Sequence, residues 1–195
     1  MHRPLFDVTA AARMPTRHGE FLMESFRYGF EAGPHLVLST GLDSDRVPLV
    51  RVHSECITSE IFGSERCDCA HQLDEALRRI HAAGCGLLIY LRQEGRGIGI
   101  ENKLRAYALQ DQGLDTVDAN VALGLPIDGR HYDAAVAYLR HRNVRRCVLM
   151  TNNPDKIRAL EDAGIRVSRA PLRRQGPAAC QQYLETKRLR LGQDC

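Results

Sequence analysis

Three cysteines lie close together in the first half of the chain, at Cys56, Cys67 and Cys69. Thiolates are the protein ligands that zinc prefers, and a site with three protein ligands keeps a fourth tetrahedral position for water. An open site acidifies that water and supplies a nucleophile at neutral pH. A structural site would instead be closed by a fourth ligand, for which His53 and His71 are the nearest candidates. The spacing alone favours neither kind of site.

The expected cellular compartment also indicates the chemical state of the cysteines. The first residues lack a signal-peptide core, and no apolar run approaches the ~20 residues of a membrane span. We therefore expect a cytoplasmic protein whose thiols are reduced, which favours a metal site over disulfides. The alternative is three core cysteines without a metal, but their polar surroundings (SERCDCAHQ) argue against it. Four cysteines receive no role beyond packing or exposure: Cys85, Cys147, Cys180 and Cys195.

A second candidate site is the segment RQEGRGIG at residues 92–99. It follows a predicted strand and precedes a predicted helix, where an α/β sheet offers a crevice for a ligand. Its glycines allow main-chain amides to approach an anion, and Arg96 offers a bidentate donor for phosphate. The segment matches neither a Walker loop nor the dinucleotide-binding fingerprint. We expect ligand binding here, with a purely structural turn as the alternative.

Polar residues directly precede the first cysteine in the segment RVHSE. If this segment is a strand, side-chain alternation places Arg51, His53 and Glu55 on one face. Such a face is either a solvated edge or the wall of a site. Its adjacency to Cys56 favours the wall.

Three further candidates are weak when taken singly. The turn from Asp128 to Arg130 could equally cap the helix that follows it. Thr151 and Lys156 flank a predicted helix N-terminus, whose free amides and dipole suit an anion. Tyr107 lies on a helix face with apolar neighbours, so core packing is its default role.

The order of elements predicts the fold class. The apolar runs HLVLST and VPLVRV indicate strands and make the N-terminal half β-rich. Further along, helices alternate with strands, which implies an α/β fold with a mixed sheet and covering helices. Predicted helices cover residues 72–83, 101–111, 133–141 and 154–163, with Gly84 and Gly164 as stops and Asn153 as a cap. Predicted strands cover residues 35–40, 47–52, 86–91, 147–150 and 165–168.

The length of 195 residues supports one core rather than two catalytic domains. We predict a loose N-terminal arm at 1–15, a catalytic domain at 16–170 and a basic tail at 171–195. The net charge of +3 fits an anionic ligand. Its basic residues are mostly dispersed, apart from residues 140–146 and the tail, so we expect binding to neither nucleic acid nor membrane.

Taken together, these segments resemble GTP cyclohydrolase II of riboflavin biosynthesis. The resemblance covers most of residues 50–167 in the family's order, through RVHSECITSEIFGSERCDCAHQL, RQEGRGIGIENKLRAYALQDQGLDTVDAN, LGLPIDGRHY and TNNPDKIRALEDAGI. It implies that GTP and water give formate, pyrophosphate and 2,5-diamino-6-ribosylamino-4(3H)-pyrimidinone 5′-phosphate. No dihydroxybutanone-phosphate synthase domain precedes the matched region, so the chain resembles the free-standing form.

The resemblance implies a role for each matching residue. Cys56, Cys67 and Cys69 would hold one zinc ion per chain together with water, magnesium would accompany the triphosphate, and the protein would be a homodimer. Asp128 and Arg130 match the family's proton acceptor and proposed nucleophile, and Tyr107 matches a tyrosine implicated in ring opening. Because a guanidinium stays protonated, we favour Arg130 as a stabiliser of transition-state charge. The implied GTP contacts are Arg51, Val52, His53, Ser54, Glu55, Gln72, Glu94, Gly95, Arg96, Thr116, Thr151 and Lys156.

Three other functions compete with this one. A paralogue could stop at a formamidopyrimidine, although Tyr107 argues against an early stop. A zinc-dependent nucleic-acid-binding module would need four Cys or His ligands and aromatic residues among basic ones. An inactive homologue would be expected to lose a ligand or the pair Asp128 and Arg130, and the chain retains them all.

Overall fold

The computed structural model describes residues 5–29 and 33–172. In that part of the chain, seven strands form one mixed sheet in the order β1-β2-β3-β5-β4-β6-β7. The strands are β1 (Phe6–Thr16), β2 (Gly19–Tyr28), β3 (His35–Thr40), β4 (Leu49–Ser54), β5 (Gly86–Leu91), β6 (Arg146–Met150) and β7 (Arg166–Ala170). The helices are α1 (Ile57–Glu60), α2 (Cys69–Ala83), α3 (Gly99–Gln110), α4 (Thr116–Ala122), α5 (Asp133–His141) and α6 (Pro154–Asp162), with a 3-10 turn at Glu94–Gly97.

The sheet has an antiparallel half and a parallel half. Strands β1, β2, β3 and β5 pair antiparallel in that order. Strands β5, β4, β6 and β7 pair parallel. The predicted α/β class with a mixed sheet is therefore confirmed. The carboxyl ends of β4, β5 and β6 lie at one edge, which is where ligands bind in such sheets.

Helices cover both faces of the sheet. On one face, α5 and α6 bury Tyr138, Leu139 and Leu160 against a cluster that includes Val52 and Ile89. On the other face, α2 packs Ala76 and Ile80 against Leu88 and neighbouring residues. Strand β5 is apolar throughout (GLLIYL) because both of its faces are covered. Burial of each large apolar side chain contributes roughly 1.5–3 kcal/mol.

The helix ends follow the predicted local signals. Gly84 ends α2 in the left-handed conformation at φ 62°, which glycine adopts at low cost. The Asn153 side chain accepts a hydrogen bond from the Asp155 amide, and Pro154 occupies the first turn of α6. The Gly84 stop and the Asn153 cap confirm the sequence prediction at these two helices.

The prediction of a loose arm at 1–15 is wrong for residues 6–15. They form most of β1, which pairs with β2 through a turn between Thr16 and Gly19. Most of β1 is exposed and lacks regular apolar alternation, so the strand depends on pairing with β2 rather than on its own pattern. The predicted tail from residue 173 onward and residues 1–4 lie outside the described residues. No helix in the described ranges is both long and apolar enough to cross a membrane.

Candidate active site

The candidate site lies at the carboxyl ends of the parallel strands. Cys56 lies between β4 and α1 as the N-cap residue of α1, and Cys69 is the first residue of α2. The glycine-rich segment follows β5, and Thr151 follows β6. Segments that are far apart in sequence therefore meet at one edge of the sheet.

The three predicted metal ligands form a compact group. The sulfur atoms of Cys56, Cys67 and Cys69 lie within 4.8 Å of one another, and those of Cys56 and Cys67 are 3.5 Å apart. Zinc–sulfur bonds of ~2.3 Å place tetrahedral ligands roughly 3.8 Å apart, so this donor set fits zinc. Among the described residues the group contains no fourth cysteine, histidine or carboxylate. This arrangement favours an open site over the closed structural alternative.

Charge around the sulfurs favours thiolate formation at one position. Hydrogen bonding from the Cys67 and Cys69 thiols, together with the Lys103 ammonium, lowers the pKa of Cys56. The same hydrogen bonds raise the pKa of Cys67 and Cys69, because each of these thiols keeps its proton next to the Cys56 thiolate. A metal cation would be needed to deprotonate all three together.

A cleft of about 630 Å³ adjoins the cysteines and is open to solvent. Its wall includes eleven of the residues singled out from the sequence: Ser54, Glu55, Cys56, Cys67, Cys69, Glu94, Gly95, Arg96, Tyr107, Thr116 and Arg130. The cleft combines sulfur ligands, two guanidinium groups and a phenol. Such a combination can hold a metal, bind an anion and donate a proton.

The glycine-rich segment carries its arginine on a tight turn. Gly95, Arg96 and Gly97 have φ values of 62°, 62° and 89°, so even the arginine is left-handed, at a cost of about 1 kcal/mol. The Gly129 amide donates a hydrogen bond of 2.9 Å to the Arg96 oxygen. A Cβ atom on Gly97 would lie 2.6 Å from the Gly129 oxygen. The glycine-rich turn and the turn at residues 128–130 are therefore in direct contact. Their arginines, Arg96 and Arg130, line the same cleft.

Asp128 and Arg130 form a pair rather than a helix cap. The Asp128 carboxylate accepts hydrogen bonds from the Arg130 amide at 3.1 Å and from its Nε at 2.9 Å. Burial alone would raise the pKa of Asp128, but Arg130 lowers it overall. Helix α5 begins after Tyr132, so the cap interpretation of this turn is wrong.

The sequence matches a family model described as GTP cyclohydrolase II over residues 7–171. The chain belongs to the GTP cyclohydrolase II family. Its relatives include GTP cyclohydrolase-2 of Neisseria meningitidis serogroup A, 48% identical over 96% of both chains. Another is GTP cyclohydrolase-2 of Acinetobacter baumannii, 50% identical over 93% of this chain and 92% of the relative. The family is one of hydrolases, and the protein is an enzyme of this kind.

Among solved structures, one similar chain is a two-domain 3,4-dihydroxy-2-butanone 4-phosphate synthase from A. baumannii. It has a TM-score of 0.48 and 16% identity, and the match covers 88% of this chain and 41% of that one. The assignment to the GTP cyclohydrolase II family rests on the family-model match over residues 7–171 and on relatives that match 96% and 93% of this chain.

Some residues expected to contact substrate in this family do not line the cleft. Arg51 is buried on β4 and donates to the Gln72 side chain at 2.6 Å and the Met150 oxygen at 3.0 Å. Val52 packs in the core, and its oxygen accepts a hydrogen bond of 2.8 Å from the buried Lys156 ammonium. The cleft wall does not include Arg51, Val52, His53, Gln72, Asp128, Thr151 or Lys156.

His53 belongs to a buried network that the sequence did not reveal. Its Nε2 lies 2.7 Å from Oε1 of the Glu60 carboxylate. The other carboxylate oxygen, Oε2, accepts a hydrogen bond of 2.5 Å from the Tyr90 hydroxyl. Burial lowers the pKa of His53, which favours the neutral ring. No local pattern connects Glu60 or Tyr90 to His53, because only the sheet and α1 bring them together.

The cleft also contains four residues that were not singled out from the sequence, namely Lys103, Ala106, Gln110 and Asn120. The first three lie on α3. Lys103 is one helical turn from Tyr107, so the 3.6-residue period places both on one face. That spacing is the sequence signal by which Lys103 could have been found. Thr116 begins α4, another element missed from the sequence, although Asp115 caps it by accepting from the Val117 and Asp118 amides.

Proposed function

We propose that this protein converts GTP and water into formate, pyrophosphate and 2,5-diamino-6-ribosylamino-4(3H)-pyrimidinone 5′-phosphate, the first step of riboflavin biosynthesis. The observation that carries the proposal is the single cleft shared by three cysteine sulfurs, two arginines and Tyr107. Family membership supports GTP as the substrate. The reaction needs these groups together, because it breaks bonds both in the guanine ring and in the triphosphate.

The metal in this proposal is one zinc ion per chain, held by Cys56, Cys67 and Cys69. When bound, zinc supplies an acidified water molecule for attack at C8 of the guanine ring. Cys56, Cys67 and Cys69 line the same cleft as Tyr107, so they would hold the metal at the wall of that cleft. The cysteine ligands fit zinc rather than magnesium, which prefers oxygen. Magnesium would accompany the triphosphate, as the family resemblance implies.

Arg96 and Arg130 bind the triphosphate in this proposal. Guanidinium groups form paired hydrogen bonds to phosphate, and they remain charged at any working pH. Release of pyrophosphate builds negative charge on the leaving oxygens, which fixed cations stabilise. Arg130 acts through its charge, since its protonated guanidinium is a poor nucleophile.

Asp128 can accept a proton only after its contact with Arg130 loosens. In the substrate-free protein Arg130 lowers the pKa of this carboxyl, which makes it a weak base. Binding of phosphate would draw the guanidinium toward the ligand. The pKa of Asp128 would then rise toward a range in which it can serve as a base.

Tyr107 is the proton donor for ring opening in this proposal. Burial raises its pKa to about 12, so the phenol keeps its proton at neutral pH. Its ring lies beside two cations, with the Arg66 guanidinium 4.8 Å and the Lys103 ammonium 5.7 Å from the ring centre. These contacts fix the ring at the cleft wall.

The deciding experiment uses the purified, zinc-replete protein with GTP and magnesium, and resolves all products by mass spectrometry. We expect formate, pyrophosphate and the diaminopyrimidinone. A formamidopyrimidine as the final product would assign the protein to enzymes that stop early. No turnover with zinc bound would contradict the proposal. Size-exclusion chromatography with light scattering tests the homodimer that accompanies it.

A further inference from the structure

Lys103 is a buried cation whose donors all point to protein groups of the candidate site. The residue is 8% exposed and lies on α3. Its ammonium donates to Cys56 Sγ at 3.1 Å, to Thr58 Oγ1 at 2.9 Å and to Glu94 Oε1 at 2.8 Å. A lysine ammonium has three donors, so these contacts use its full capacity.

The side chain of Lys103 joins the two segments that line the cleft. Glu94 belongs to the 3-10 turn, and its other oxygen accepts a hydrogen bond of 2.6 Å from the Ile57 amide. A Cβ atom on Gly95 would lie 3.2 Å from Lys103 Cβ, so the turn packs closely on the lysine stem. Lys103 therefore ties the glycine-rich segment to the start of α1, next to the Cys56 ligand.

Burying a lysine is costly unless its charge is compensated. The Glu94 carboxylate compensates it in part, and the contact with Cys56 suggests a second reason for the burial. A divalent ion bound by three thiolates has more negative than positive charge among its nearest atoms. A cation that donates to one of those sulfurs offsets the excess and fixes the direction of its lone pairs.

We propose that Lys103 is the positioning cation of the three-cysteine metal site, holding Cys56 Sγ and Glu94 in a fixed relation. This inference rests on the proposed function, because it assumes that the cysteines bind zinc. Lys103 acts through Cys56, so it raises the affinity for metal and sets the electron density on that sulfur. Outer contacts of this kind change metal affinity roughly 10–100-fold.

The test compares metal binding by the parent, Lys103→Met and Arg105→Met. The last variant removes an exposed cation from the same helix and serves as the matched control. Zinc affinity is measured by competition with a chromophoric chelator. The proteins are also loaded with cobalt(II), and the thiolate-to-cobalt charge-transfer band is recorded. We expect Lys103→Met to bind zinc at least roughly tenfold more weakly and to shift this band. Arg105→Met should match the parent.

Lys103→Met leaves Glu94 buried without its cation, which could prevent folding. The double variant Lys103→Met/Glu94→Gln removes both charges, so no uncompensated charge remains buried. It is expected to fold and to show the same loss of zinc affinity. Parent-like affinity and an unchanged cobalt spectrum in a folded Lys103 variant would overturn the inference. Neither readout needs GTP turnover, so failure of the proposed reaction in the parent is a separate result.

Discussion

The Gly129 amide donates a hydrogen bond of 2.9 Å to the Arg96 oxygen, and this contact joins the two arginine-bearing turns of the cleft. Gly97 makes the approach possible, because a Cβ atom there would lie 2.6 Å from the Gly129 oxygen. The contact therefore holds the turns that carry Arg96 and Arg130 next to each other.

We expect Gly97→Ala to reduce GTP turnover at least roughly tenfold while zinc content stays unchanged. The new methyl group strains a backbone at φ 89° and also pushes the two turns apart. Gly113→Ala is the control, because that glycine has φ 103° and open space around it. Equal losses of turnover in both variants would show that backbone strain, rather than the contact, is responsible. Steady-state kinetics and metal analysis measure both quantities.

Replacement of Cys67 by serine is expected to abolish zinc binding and GTP turnover together. A serine hydroxyl is a poor zinc ligand, and two thiolates do not complete the group. Cys85→Ser is the matched control, since Cys85 is buried at the amino end of β5 and lies outside the cleft. Chelation should inactivate the parent and added zinc should restore it. Full turnover by zinc-free parent protein would refute a role for the metal.

Tyr107→Phe is expected to keep zinc and lose most formation of the diaminopyrimidinone, by roughly a hundredfold or more. The substitution removes only the phenol hydroxyl, which is the proposed proton donor. Because the pKa of Tyr107 is about 12, its ionisation should not change the parent's reaction rate below about pH 11. Product analysis by mass spectrometry decides whether a formamidopyrimidine accumulates instead. Parent-like product formation would remove Tyr107 from the mechanism.

The pair of Asp128 and Arg130 should make stability depend on pH. Arg130 keeps the folded pKa of Asp128 below its unfolded value of about 3.9. The pair therefore stabilises the protein above that value, and the contribution is lost as the pH falls through the folded pKa. We expect Arg130→Met to lower the free energy of unfolding at neutral pH, with a difference from the parent that narrows below about pH 4.

Urea unfolding of the parent, Arg130→Met, Asp128→Asn and the double variant measures this effect across the pH range. The double-mutant cycle isolates the energy of the pair from other losses. Arg105→Met serves as the control for removing an exposed arginine. An interaction energy between Asp128 and Arg130 that is the same at neutral and acidic pH would contradict this prediction.

The sequence by itself determined the elements whose signals are local. The helix at residues 133–141 and the strand GLLIYL have the predicted bounds, because apolar periodicity and flanking turn residues mark them. The cysteine spacing also predicted the cluster of three sulfurs that could hold a metal. The three cysteines lie within one short stretch of the chain, so their proximity is a local property.

Tertiary structure decided what depends on contacts between distant segments. Strand β1 exists through its pairing with β2, which its exposed and irregular pattern did not indicate. The contact of Gly97 with Gly129 joins turns that are far apart along the chain. Lys103 reaches Cys56 across 47 positions. The cost of closing such loops is met only by the assembled sheet, so no local pattern could reveal the partners.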